Sequence, residues 1–103
     1  MVVFESSPAY NEKFHEPVNQ EIKNRIRLSV AAYAYEMRND EIMSDKEFDS
    51  LALKVNPQEK TGNRKLDNFF KKHFQPDTGM WIRKHPDING IAYIYETYYR
   101  KKK

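Results

Sequence analysis

The six residues 43–48, "MSDKEF", constrain this chain more than any other stretch. Ser44 belongs to the residue types that cap helix N-termini, because its hydroxyl accepts a hydrogen bond from an unpaired backbone N–H. Glu47 stands three residues on, where its carboxylate can reach back to the Ser44 N–H and complete a capping box. Met43 before the cap and Phe48 four residues after it form a hydrophobic staple. A helix therefore starts at Ser44. Phe48, Leu51 and Val55 share one of its faces, and Asn56 followed by Pro57 ends it.

Upstream, Ile22, Ile26, Val30, Tyr33 and Met37 recur at helical spacing. They predict a first helix that opens near Pro17, a residue at home in a first helical turn, and runs to about Arg38. The segment "NDEI" then links two helices into a hairpin. Downstream, Thr61 is the expected cap of a third helix that carries Leu66, Phe69, Phe70, His73 and Phe74 near one face, with Pro76 as its stop. The stretch "DTGMWIRKHPDING" is mostly turn chemistry around the apolar residues 80–82. A last helix is expected from Ile91 towards Arg100, and no segment alternates as a strand would. The expected fold class is mainly α: a small single domain built on a helix hairpin with additional aromatic-rich helices. Its expected divisions are an irregular arm over residues 1–16, one helical domain over 17–100 and a basic tail over 101–103.

Several function classes are excluded by composition. With 103 residues one domain is the default, and the 14% of aromatic residues supply material for its core. The absence of cysteine removes disulfides, thiolate zinc sites and cysteine nucleophiles together. No apolar run approaches the roughly 20 residues of a membrane helix, so no membrane partner is expected. The opening "MVVFESSPAY" lacks a basic stretch before an apolar one, so no signal peptide is expected, and the lack of cysteine suits the expected cytoplasmic location. The net charge of +3 is unevenly spread. Residues 1–56 carry seven Lys/Arg against ten Asp/Glu, whereas residues 57–103 carry eleven against five. A basic second half attracts nucleic acid or an acidic protein, although a basic tail also serves solubility alone.

Tyr33 and Tyr35 stand about 200° apart on a helix and cannot face the same core. Tyr33 belongs to the apolar stripe, and Tyr35 lies off it. Asp45 and Asp49 are four residues apart and share a face of the second helix. The helix dipole explains Asp45 in the first turn. Asp49 lies deeper, where two like charges repel, and a cationic or donor-rich neighbour would relieve them.

"YAYEMRNDEIMSDKEFD" resembles the small N-terminal helical domain of NAD-dependent DNA ligases, which grips the nicotinamide mononucleotide half of NAD. That family reads tyrosine, any residue, tyrosine, histidine, a loop of fixed length, aspartate, any residue, glutamate, tyrosine, aspartate. Without a gap, Tyr33 and Tyr35 match the tyrosine pair, Asp45 the first aspartate, Glu47 the glutamate and Asp49 the last aspartate. The resemblance covers roughly residues 20–56 and implies a ligand set of Tyr35, Glu36, Asp45, Phe48 and Asp49. The two aromatic rings would sandwich a nicotinamide ring, and the acids would hold ribose or carboxamide. Glu36 stands where the family has histidine, which sets an anion beside any ligand phosphate. Phe48 replaces a tyrosine, which keeps the stacking face and loses the hydroxyl. "TGNRKLDNFFKKHF" and "TGMWIRKHP" are also similar to segments of small phage-encoded, ligase-related proteins, which implies a stand-alone viral protein in a host cytoplasm. The same residues suffice for a hairpin core with capped ends and no ligand.

Catalysis is not expected. "KLDN" at residues 65–68 has Asn68 where a nucleotidyl-transfer lysine motif needs glycine, so Lys65 and Asp67 are read as the polar face of the third helix. The triplet His85, Pro86 and Asp87 is similar to that of J-domain co-chaperones, but the basic helix that should lead into it is missing. It is read as a turn whose aspartate opens a helix. His15, His73 and His85 lack metal-ligand spacing, and His73 is read as a core histidine.

Two expectations follow. The first is a non-catalytic module that binds a nicotinamide nucleotide, NAD or its mononucleotide (NMN), with no cofactor certain. The second is a viral interaction or inhibitor protein that meets a host protein or nucleic acid through Tyr95, Tyr98, Tyr99, Arg100, Lys101 and Lys102, where tyrosines adjoin the basic end.

Overall fold

A computed structural model describes the backbone of residues 12–100 and the side chains of residues 19–100. The protein is a mainly α single domain, and the described residues contain no strand. Helix α1 is Glu12–Arg38, α2 is Asp45–Lys54, α3 is Arg64–His73 and α4 is Ile88–Ile94. A short 3₁₀ helix, Met80–Lys84, precedes α4, and a wide π turn, Tyr95–Tyr99, continues it. None of these helices is long and apolar enough to cross a membrane.

α1 is the central helix and begins at Glu12, ahead of the expected start at Pro17. Proline's fixed φ is helical, and the bond its missing N–H forfeits lies near the helix end, where pairing is thinnest. Residues 1–11 of the expected arm and the whole tail, residues 101–103, lie outside the described residues. The expected apolar stripe is only partly the buried one. Val30 is buried and Ile22 and Tyr33 are half-buried, but Ile26 and Met37 are exposed. Leu28, Ser29, Ala31, Ala32 and Ala34 are buried instead. α2, α4, the 3₁₀ helix and the π turn all pack on α1. So many neighbours cover more than one face, and small side chains let them approach closely. Asn39 ends α1 with a left-handed φ of 53° and lets the Asp40 N–H turn back to the Ala34 carbonyl at 2.9 Å. Asparagine tolerates that conformation better than most residues.

Both bonds of the capping box at Ser44 form. The Glu47 N–H donates to Ser44 Oγ at 3.1 Å, and the Ser44 N–H donates to Glu47 Oε1 at 3.0 Å. α3 is capped by Asn63 rather than Thr61: Asn63 Oδ1 accepts from the Leu66 N–H at 3.1 Å. Gly62, at φ 93°, sets the chain for that cap in a conformation that costs other residues energy. Thr61 is used elsewhere, its N–H and hydroxyl donating to Asp67 at 2.9 and 2.7 Å.

A buried charge network ties the loop after α2 to α1. Arg25 donates to Glu21 at 2.6 Å, to Asp67 at 2.9 Å, and to the carbonyls of Asn56 and Glu59 at 2.9 Å each. Its guanidinium also lies 4.8 Å from the Phe70 ring centroid. Glu21 accepts from the Asn56 N–H at 2.9 Å. Asp67 is thus a network member and not merely the polar face of α3. Phe69, Phe70, Phe74, Trp81 and His85 form an aromatic cluster beside it, with ring centroids 5.1 to 6.3 Å apart for the touching pairs. The buried histidine is His85. His73, expected in the core, is exposed on the outer side of Phe69.

Candidate functional site

The hairpin of α1 and α2 opens on one side into a cleft of about 380 Å³. Tyr35, Glu36, Asp45, Phe48 and Asp49, the five residues implied as a ligand set, all line it. Their placement follows from helix geometry. Tyr33 turns inward and meets Tyr95 edge-on at 5.6 Å, so Tyr35, about 200° further round, points away and is 59% exposed. Phe48 is half-buried, packs against the core and gives the cleft an apolar wall. Asp45 and Asp49 stand one turn apart on the same side of α2.

The sequence did not predict the third wall, which residues 77–79 supply. Gly79 makes it possible. A Cβ there would sit 3.2 Å from the Ala32 Cβ and 3.5 Å from Phe48 Cζ. The loop is pinned from behind by Trp81, which is buried and whose indole N–H donates to the Thr78 carbonyl at 2.6 Å. The approach of Gly79 to Ala32 and Phe48 joins residues more than 30 positions apart and has no local signal; only the turn itself was legible in "DTG".

Five carboxylates line the cleft: Glu36, Glu41, Asp45, Asp49 and Asp77. No Lys, Arg or His lines it. The Arg83 guanidinium approaches Glu36 from outside, at 3.4 Å from its carbonyl and 3.5 Å from its carboxylate, in an exposed and therefore weak pairing. The site can stack a flat ring and accept hydrogen bonds. It offers nothing to neutralise an anion.

The expected C-terminal surface divides. Tyr95 is in the core, 3% exposed, because the apolar face of α4 carries it against Tyr33. Its hydroxyl donates to Asp40 at 2.6 Å. That bond, aided by burial, holds its phenol above the ordinary value of 10.0. Tyr98 and Tyr99 are exposed on the π turn. Arg100 is exposed as well and pairs with Glu96 at 2.8 Å. Lys101 and Lys102 lie outside the described residues.

The His85, Pro86, Asp87 triplet is a helix-opening turn. Asp87 caps α4 by accepting from the Gly90 N–H at 3.2 Å, and His85 Nδ1 accepts from the Asp87 N–H at 3.0 Å. Among the described residues no group of three or more His, Asp or Glu is placed to hold a metal ion. No family model matches the chain, and no curated protein and no solved structure matches it.

Proposed function

We propose that this protein is a non-catalytic binding module whose cleft takes a flat, nicotinamide-type ring between Tyr35 and Phe48. One observation supports the reading: the five residues of the ligand set that the resemblance implies, drawn from two helices, line a single cleft of ligand size. The donor set suits part of a nicotinamide nucleotide. Tyr35 and Phe48 supply π faces, and Asp45 and Asp49 supply acceptors for ribose hydroxyls or a carboxamide N–H. No cation of the lining suits the phosphates, which would remain outside the cleft. Binding of that kind orients a ring and leaves its chemistry alone.

Titration calorimetry with NAD and NMN tests the reading on the wild type and on Tyr35→Ala. Saturable heat is expected from the wild type. Loss of one stacking face should weaken binding about tenfold, at roughly 1–3 kcal/mol per stacked ring. Absence of heat from either ligand at millimolar concentration would remove the proposal.

The exposure of Tyr98 and Tyr99 favours a second reading, an interaction protein. Tyrosines presented on a protein surface are common anchors of partner interfaces.

A further inference from the structure

α2 has a second lined face, turned away from the acidic cleft. Lys46, Ser50 and Lys54 follow one another at four-residue spacing and line a groove of about 480 Å³. Arg27 of α1 lines it from the other helix, and Tyr99 of the π turn from a third element. Met43 and Leu51 give it an apolar floor.

The charge of this groove is unspent. Arg27, Lys46 and Lys54 are exposed, and none of them joins an ion pair among the described residues. The one acid of the lining, Glu47, is engaged by the capping box. Three cations from two helices therefore converge beside one exposed aromatic ring. Helical rise puts Lys46 and Lys54 about 12 Å apart along α2, so the positive charge forms a line.

We infer that this groove is a docking surface for single-stranded nucleic acid, with Arg27, Lys46 and Lys54 on the phosphates and Tyr99 as a stacking platform. Charge complementarity selects a polyanion. The tyrosine and the apolar floor select among polyanions. Every base has a flat face that a tyrosine can stack on, whereas the carboxylates of an acidic peptide gain nothing from a ring. The groove borders the ring-binding cleft, with which it shares Ile42 and Met43, but it draws on other residues of α2 and carries the opposite charge.

Fluorescence anisotropy of a labelled oligothymidylate of about 15 nucleotides tests it. The full chain and a form lacking residues 101–103 are titrated from about 50 to about 300 mM salt. Both should bind. With three phosphates neutralised by the groove, the shortened form should show a slope of log affinity against log salt near about −2. Lys46→Glu with Lys54→Glu should weaken binding more than about tenfold, and Tyr99→Ala alone by about tenfold. Lys46→Gln with Lys54→Gln puts no acid at the C-terminus of α2, keeps the test valid if the charge reversal unfolds the protein, and should still flatten the salt slope. Binding that survives both double variants would overturn the inference, as would loss of all binding with the tail. Equal displacement by polyglutamate together with an unchanged Tyr99→Ala would also overturn it, in favour of an acidic protein partner.

Discussion

His85 shows how burial turns an ordinary side chain into a pH-dependent one. It is 7% exposed against Phe69 and Phe70, and its Nδ1 accepts from the Asp87 N–H. Burial pushes its pKa below the ordinary 6.5, with the Asp87 carboxylate partly opposing. The unfolded chain therefore binds the proton first. Stability should be full above the ordinary value and fall as pH drops through it, levelling once the folded protein is protonated as well. Thermal melts at about pH 7.5 and about pH 5.5 should show a lower Tm at the acid value, and His85→Asn, which keeps an acceptor but cannot titrate, should shrink the difference. Gly79 makes an equally local prediction. Gly79→Ala would press a methyl group against Ala32, whose Cβ is fixed on a helix, at 3.2 Å. Overpacking of this sort costs about 1–3 kcal/mol. Chemical denaturation should register that loss, and ligand affinity at the cleft should fall with it.

α2 is the element on which both proposed surfaces depend. Its Asp45, Phe48 and Asp49 line the acidic cleft, and its Lys46, Ser50 and Lys54 line the basic groove. Helical periodicity alone separates the two sets, since neighbouring residues differ by about 100° in direction. The capping box fixes where that periodicity begins. Ser44→Ala removes a side-chain acceptor from the Glu47 N–H and should cost about 1 kcal/mol. In a domain of this size that corresponds to a fall in Tm of about 4–8 °C, readable by circular dichroism. Part of the effect should appear at the cleft, because fraying of the first turn moves Asp45 and Phe48. α4 and the π turn form the contrasting element. Tyr95, Tyr98 and Tyr99 lie within five residues, yet packing buries the first and leaves the others outside.

For the whole molecule the Arg25 network is the principal long-range tie. It joins α1, the loop after α2 and the start of α3 through five hydrogen bonds of Arg25 and Glu21, which also pair with each other. Arg25→Met would leave Glu21 and Asp67 without their cation, and breaking one partner of a buried pair costs about 3–5 kcal/mol. A denaturation midpoint lowered to match is the expected outcome; an unchanged midpoint would mean the network contributes no net stability. Burial works against the ionised form of Asp67, but bonds from Thr61 and Arg25 outweigh it and hold its carboxyl below the ordinary 3.8. Its contribution is therefore present above that value and lost as pH falls through the lower folded pKa.

The mainly α class, the hairpin and the start of α2 were legible because caps and helical spacing act within a few residues. Tyr35 off the stripe and Asp45 beside Asp49 could be placed on helix faces for the same reason. Other expectations failed where the deciding contact was remote. Thr61 yielded the cap of α3 to Asn63 because Asp67 claimed its hydroxyl. Tyr95 left the surface because Asp40 and Tyr33 were waiting for it. Ile26 stayed outside because small residues elsewhere on α1 admitted the neighbouring helices. By itself the sequence determined that the helices form and which residues share a helix face. Tertiary structure alone decided which of those sides met another helix, because contacts between distant segments depend on packing that no local pattern encodes. It closed the cleft with residues 77–79 and gathered Arg27, Lys46, Lys54 and Tyr99 from three elements into one groove.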